Sequence, residues 1–243
     1  MTTRREIITK CGAGLASILA ARRAPAALVR SMLAARNGIA VSGGGGPFDR
    51  AVAWLESDGS QHIKTGLYIS EVRKLEIRAQ LTAAPNPNAS YICGGYRSRV
   101  RTQIAANTAY IFMSFGSSTA VQSQGIPTDM AVHDYAFDSG EFYIDGSLRQ
   151  SFTWAVQNIA SPFCLFARGS GTGGAVDGNI TGRIFSCRLY GIDNSLPLLR
   201  DFIPVRVGSV GYMYDCANPT GGPLGNGLYP NSGSGAFTIG PDV

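Results

Sequence analysis

The side chains best suited to chemistry in this chain suit recognition more than catalysis: Tyr96 followed at once by Arg97, then Trp154, then Arg168. Sugar sites combine a planar aromatic face, which covers apolar C–H groups, with polar side chains that bond hydroxyls. Arg168 follows an apolar run at an expected loop edge, where a guanidinium is presented to a ligand. The competing assignment is structural, with Trp154 capping the core and the arginines lying along a solvated sheet face.

Catalytic signals are sparse. The two histidines, His62 and His133, have no H-x-x-x-H spacing around them, so neither reads as a zinc ligand. His133 reads as a partly exposed residue at the start of a strand. No G-x-S-x-G elbow supports a Ser-His-Asp triad. The glycine-dense string Gly169 to Gly174 lacks a following helix that would hold a phosphate, and it reads as a mobile loop. Asp177-Gly178-Asn179 admits calcium without any motif to support it, and an ordinary turn accounts for it better. No catalytic residue, metal ligand or cofactor is therefore expected.

Whatever these residues do, strands must position them. Hydrophobic residues make up 44% of the 243 and charged residues only 15%, which suits a packed body and excludes a highly charged, disordered one. The formal charge of +5 is concentrated at the front: residues 1–46 hold seven basic side chains against Glu6 alone, and the remainder is at −1. A body near neutrality has no net field to draw in phosphate backbones, so no nucleic-acid partner is expected. Every aromatic residue lies at Phe48 or later. The chain thus divides into a leader at 1–42, a glycine-rich joint at 43–47 and one domain at 48–243.

In the leader, Arg4-Arg5 precedes Ile7-Ile8 and Lys10, an Ala- and Gly-rich stretch runs from Cys11 to Ala21, and Arg22-Arg23 follows. This resembles a twin-arginine export signal, with Ile7 and Thr9 as departures from the pattern. The apolar stretch is too short to span a bilayer as a stable helix, so any membrane contact is expected only through this helical leader. The alternative is a pair of basic amphipathic helices lying on a membrane or partner surface. The localisation expected is exported: periplasmic, cell-surface or secreted. Cys93, Cys164, Cys187 and Cys216 form an even set in the domain, and an oxidising compartment would permit bridges among them. Cys164 and Cys187 also sit inside apolar strand patterns, where a reduced cysteine packs as a small hydrophobe; pairing is left open.

From Val52 onward the apolar period is two. Leu75, Ile77, Ala79 and Leu81 alternate with Lys74, Glu76, Arg78 and Gln80, the pattern of a half-buried strand. Ala109 to Phe115, Pro162 to Ala167, Arg183 to Tyr190 and Phe202 to Arg206 are further runs rich in β-formers. Asp138-Ser139-Gly140 and Asp145-Gly146 divide His133–Phe137, Glu141–Ile144 and Ser147–Phe152 into a three-strand meander.

Glu141-Phe142-Tyr143-Ile144-Asp145-Gly146 resembles the aromatic-aliphatic-Asp-Gly hairpin of laminin-G-like and concanavalin A-like sandwich domains. Trp54 to Gly66 is similar to the opening of bacterial and phage members of that group. Leu165 to Arg168, Gly182 to Tyr190, Arg200 to Arg206 and Gly233 to Gly240 continue the resemblance in order. It implies an all-β, antiparallel jelly-roll β-sandwich used for sugar binding, adhesion, phage tail decoration or, in some branches, glycan cleavage. Cleavage on this fold resembles a Glu-x-Asp-x-x-Glu strand motif, whose outer carboxylates do the work. Here Gln61 stands where the second Glu would be, and an amide cannot donate a proton to a leaving oxygen. Glu56 and Asp58 are accordingly expected to be polar loop residues.

The function expected is a carbohydrate-binding or adhesion module without catalytic activity, with a glycan or cell-surface polysaccharide as partner. A structural module of a surface or phage-derived fibre, with a homo-oligomer as its state, is the alternative. A glycoside hydrolase is third.

Overall fold

A computed structural model of the chain describes residues 47–84, 90–96, 98–105, 108–114, 121–123, 130–151, 160–171, 174–193 and 195–243. The leader and Gly43 to Gly46 lie outside the described residues, as do Arg97 and Trp154. Among the described residues the architecture is all-β, with a single 3-10 turn at Ile69–Glu71. No described helix is long and apolar enough to cross a membrane.

Two antiparallel sheets form the sandwich. The larger runs Ser147–Ser151, Glu141–Ile144, Val132–Asp138, Val72–Leu81, Thr181–Gly191, Leu198–Val207, Val210–Asp215 and Leu228–Tyr229, with Leu55–Asp58 also pairing Thr181–Gly191. The smaller runs Ile63–Tyr68, Pro162–Leu165, Ser90–Gly95, Ser98–Ala105, Thr108–Ser114 and Val121–Ser123. Crossovers interleave the chain, since Val72–Leu81 lies between strands that follow it by more than fifty residues.

The alternation in Val72–Leu81 appears as expected, with Leu75, Ile77 and Ala79 inside and Lys74, Glu76 and Arg78 outside. In Thr181–Gly191 the inward residues Ile184 and Cys187 are three apart, a spacing that no regular strand can put on one face. A bulge between Ile184 and Ser186 absorbs the extra residue and restores the parity. One core row of the large sheet then reads Tyr135, Ile77, Cys187, Phe202 and Asp215. The small sheet contributes Ile63, Leu165 and Cys93 as a facing row. Phe137, Phe163, Phe166 and Phe202 are fully buried, each stabilising the fold by about 1.5–3 kcal/mol.

Both expected hairpins are present, and both use two-residue turns. Ser139 and Gly140 have φ of 51° and 97°, and Asp145 and Gly146 have φ of 50° and 75°, so all four sit in the left-handed region that matches strand twist. Asp138 belongs to the strand Val132–Asp138 and not to the turn. His133 is better held than expected: its Nδ1 lies 2.8 Å from Asp145 Oδ2, and its side chain is only 12% exposed.

One end of the core carries an ion pair. Asp215 is completely buried; its Oδ1 accepts the N–H groups of Asp201 at 2.9 Å and Ala217 at 3.0 Å. Its Oδ2 lies 3.5 Å from Arg200 Nε. Arg200 also donates to the Thr65 carbonyl of the small sheet at 3.2 Å, so this pair fastens one sheet to the other.

The C-terminal segment straps the sandwich at His62. Asn231 Oδ1 accepts the His62 N–H at 3.1 Å, and the His62 carbonyl accepts the Ser232 N–H at 2.8 Å. His62 Nδ1 is buried under Gly233 with no hydrogen-bond partner. Burial, and then the charge of Lys64, push the imidazole below its ordinary value of 6.5. Because the unfolded chain takes up this proton at higher pH than the folded one, the stabilisation is complete above pH 6.5 and is lost as pH falls below it. We expect the melting temperature to drop on acidification through this window, and the drop to be smaller in His62→Gln. Equal drops in the two proteins would place the acid sensitivity elsewhere.

Candidate functional site

Of the four nominated recognition residues, the structure describes Tyr96 and Arg168 and brings them to one corner of the small sheet. A third residue, Tyr68, joins them. Tyr68 ends the strand Ile63–Tyr68, in which Ile63, Thr65 and Leu67 are buried and Lys64, Gly66 and Tyr68 face out. Tyr68 is 49% exposed and Tyr96 37%. Two partly exposed aromatic side chains at one corner are a feature a sugar ring can use.

A buried serine organises the corner. Ser161 Oγ accepts the Tyr96 N–H at 2.9 Å and lies 3.3 Å from the Gly169 carbonyl, to which it donates. Its carbonyl accepts the Ile69 N–H at 3.0 Å. One fully buried residue thus ties the segments that carry Tyr68, Tyr96 and Arg168. Gly95 makes this close approach possible: a Cβ there would lie 2.2 Å from Ile69 Cγ2 and 2.9 Å from the Pro162 carbonyl. Tyr68 is braced in turn, its N–H donating to Glu71 Oε2 at 2.6 Å.

Arg168 is held on two sides. Its guanidinium makes a bidentate pair with Asp177, with Nη2 2.8 Å from Oδ2, and lies 4.6 Å from the centroid of the buried Tyr91 ring. The hydrogen bonds to Asp177 are the largest cause raising its pKa further above the ordinary arginine value. Only 17% of the side chain is exposed, so Arg168 serves mainly to hold the corner. The expected loop after it is a correction: Arg168–Ser170 and Ala175–Asp177 pair as a two-stranded ribbon. The arginine and Asp177 face each other across that pairing, register partners whose charges attract.

Ser161→Ala would leave the partly buried Tyr96 N–H without the Ser161 hydroxyl. The expected result is a loss of about 1–3 kcal/mol in denaturant unfolding. A loss below about 0.5 kcal/mol would show that the corner does not depend on this hydroxyl.

A second polar surface covers the outer face of the large sheet. Here Glu76 lies 3.1 Å from Lys74 Nζ and 3.7 Å from Arg188, and it accepts the Tyr190 hydroxyl at 3.0 Å. Burial, and then the Glu76 charge, push the Tyr190 phenol up to about 12. Asp201 lies 3.3 Å from Arg188 Nε, Asp134 3.4 Å from Arg78 and Glu56 2.8 Å from Arg183. The Arg183 guanidinium lies 4.1 Å from the Trp54 ring centroid. Each of these carboxylates faces a cation on a neighbouring strand, an arrangement that rivets strands together. Glu56 and Asp58 belong to the strand Leu55–Asp58, a correction to their expected loop placement; the chain turns only at Gly59, with φ of 103°. Hydrogen bonds from Ser60 and Gln61 hold the Asp58 carboxyl below the usual range. Gln61 itself is buried, its Oε1 accepting the Asp58 N–H at 2.9 Å.

Tyr68, Ser161 and the outer-face network were not among the nominated residues. Tyr68 carries a sequence signal, being an aromatic at an outward position of an alternating strand. Ser161 carries none, because its partners come from segments far apart in the chain.

No protein-family model matches the chain, and no curated protein does. Among solved structures it is similar to a candidate carbohydrate binding protein from Bacteroides ovatus ATCC 8483, with a TM-score of 0.53 at 14% identity. The likeness covers 80% of this chain and 61% of that one, so the chain spans about three fifths of the other protein's length. At this identity the likeness is one of fold: the chain has the architecture of a β-sandwich shared with that protein.

Proposed function

We propose that this chain is a carbohydrate-binding or adhesion module of the concanavalin A-like and laminin-G-like type, without catalytic activity, and that it is exported by its leader. The observation that carries the reading is the pair of exposed tyrosines, Tyr68 and Tyr96, tied to one buried serine beside Arg168. Exposed phenol rings supply stacking faces, their hydroxyls supply hydrogen bonds, and the bracing keeps the ordering cost of binding low. The sandwich shared with a candidate carbohydrate binding protein supports the same reading.

A glycan array probed with the full chain tests this. Binding to at least one glycan class, weakened when both tyrosines are replaced by alanine, is expected. No binding to any glycan would overturn the reading. Release of reducing sugar from a panel of β-glucans and galactans would overturn the non-catalytic part alone.

A further inference from the structure

The small sheet is charged in one sense only. Its six strands carry Lys64, Arg99 and Arg101 and no aspartate or glutamate. From Ile77 to Thr128 the chain has four arginines and no acidic residue. The large sheet differs, for its carboxylates Glu56, Glu76, Asp134 and Asp201 each meet a cation of a neighbouring strand. The near-neutral domain is therefore polarised, with a basic face that its net charge conceals.

Register gathers the three cations on one side. Lys64 stands opposite Cys164, Cys164 opposite Gly94 and Gly94 opposite Arg99, so one row crosses four strands from Lys64 to Arg99. Lys64 and Tyr68 are exposed positions of an alternating strand, which makes this an outer row. Arg101, two positions beyond Arg99, belongs to the same face. At about 4.8 Å per strand the row sets Lys64 and Arg99 about 14 Å apart, and Cys164 and Gly94 put no bulky side chain between them. Tyr68 stands about 13 Å from Lys64 along its own strand. The carboxylates of the tyrosine corner are already engaged: Asp177 Oδ2 lies 2.8 Å from Arg168 Nη2, and Glu71 accepts the Tyr68 N–H.

We propose that the outer face of the small sheet binds an acidic polysaccharide, with Lys64, Arg99 and Arg101 taking its carboxylate or sulfate groups while sugar rings stack at Tyr68 and Tyr96. This rests on the carbohydrate-binding reading above and names the class of ligand. Cations about 14 Å apart are further from each other than one sugar ring can reach, so the ligand is a polymer. Nucleic acid fits less well, because a duplex presents one charge about every 1.7 Å of its axis and a near-neutral domain has no net field to hold it.

Titration of the full chain against matched pairs tests this: polygalacturonate with its fully methyl-esterified form, and dextran sulfate with dextran. At least one acidic member should bind about tenfold more tightly than its neutral counterpart at low salt, and the gap should shrink as salt rises. Which pair shows the preference separates carboxylate from sulfate. The triple variant Lys64→Ala, Arg99→Ala, Arg101→Ala should lose about tenfold in affinity for the acidic member, the combined effect of three surface ion pairs of ordinary strength. It keeps the seven basic residues of the leader, so the loss reports the sheet alone. Lys64→Glu, at an exposed position, carries the test if the triple variant does not fold, with a loss of about threefold expected. Equal affinity for acidic and neutral members, or an unchanged preference in the variants, would overturn the proposal and leave sugar binding in place. A single-stranded oligonucleotide bound as tightly as the acidic glycan would overturn it too. No binding to any glycan would overturn both the proposal and the reading on which it rests.

Discussion

Asp215→Ala should lower the unfolding free energy by about 3–5 kcal/mol, read from urea denaturation of the folded domain. The carboxylate has no exposed surface, and three groups converge on it: the N–H groups of Asp201 and Ala217, which donate to it, and the Arg200 guanidinium, its counter-ion. Truncation deletes the acceptor and leaves all three in place. Arg200 would then keep its hydrogen bonds to the Thr65 and Leu199 carbonyls while its charge, 15% exposed, lost its counter-ion. The loss is a large share of the 5–15 kcal/mol typical of folded domains, so marginal folding at 37 °C is also expected. The double variant Arg200→Met with Asp215→Leu should recover part of the loss, because removing both charges spares the core an unpaired one. A double-mutant cycle measures that coupling, expected at about 0.5–3 kcal/mol. Should Asp215→Ala cost under 1 kcal/mol, the two sheets are held together by apolar packing alone and the pair is incidental.

The second large effect is on binding. Tyr68→Ala and Tyr96→Ala should each weaken the glycan found on the array by about tenfold, and the double variant by about a hundredfold if the two rings act independently. Stability should move by no more than about 0.5 kcal/mol in each single variant, since both side chains are exposed. Tyr96 offers a clean separation here, because the group that anchors it to Ser161 is its backbone N–H, which alanine retains. Isothermal titration with each variant decides the matter. Unchanged affinity in both would move the site away from this corner and turn attention to the outer face of the large sheet, around Glu76, Arg188 and Tyr190.

These two results concern residues of very different legibility. The strand Val72–Leu81 could be read directly, since Leu75, Ile77 and Ala79 recur at every second position. The hairpins at Asp138 to Gly146 could be read almost as directly, from residues that tolerate a left-handed backbone. Thr181–Gly191 was legible as a strand but not as to which way its side chains point. Its bulge reverses the parity midway, and no local property of Phe185 or Ser186 announces that. Arg168 was legible as a polar group at an edge, yet its engagement with Asp177 depends on the antiparallel pairing of Arg168–Ser170 with Ala175–Asp177. Asp215 follows Tyr212-Met213-Tyr214, with nothing beside it in the sequence to mark it as buried. Its burial follows from a register that sets it beside Phe202, and its counter-ion Arg200 reaches a small-sheet carbonyl that only folding supplies.

By itself, then, the order of residues determined the period-two backbone, the places where it turns and the near-neutral charge of the domain after Phe48, because each depends on neighbours within a few positions. Tertiary structure alone decided that Tyr68 and Tyr96 would share an anchor, that Asp215 would meet Arg200 and that Cys93 and Cys187 would both face inward. Those outcomes require segments about fifteen to more than ninety residues apart to meet, and a meeting of that kind is fixed by sheet order, register and bulges, which no short stretch of sequence contains.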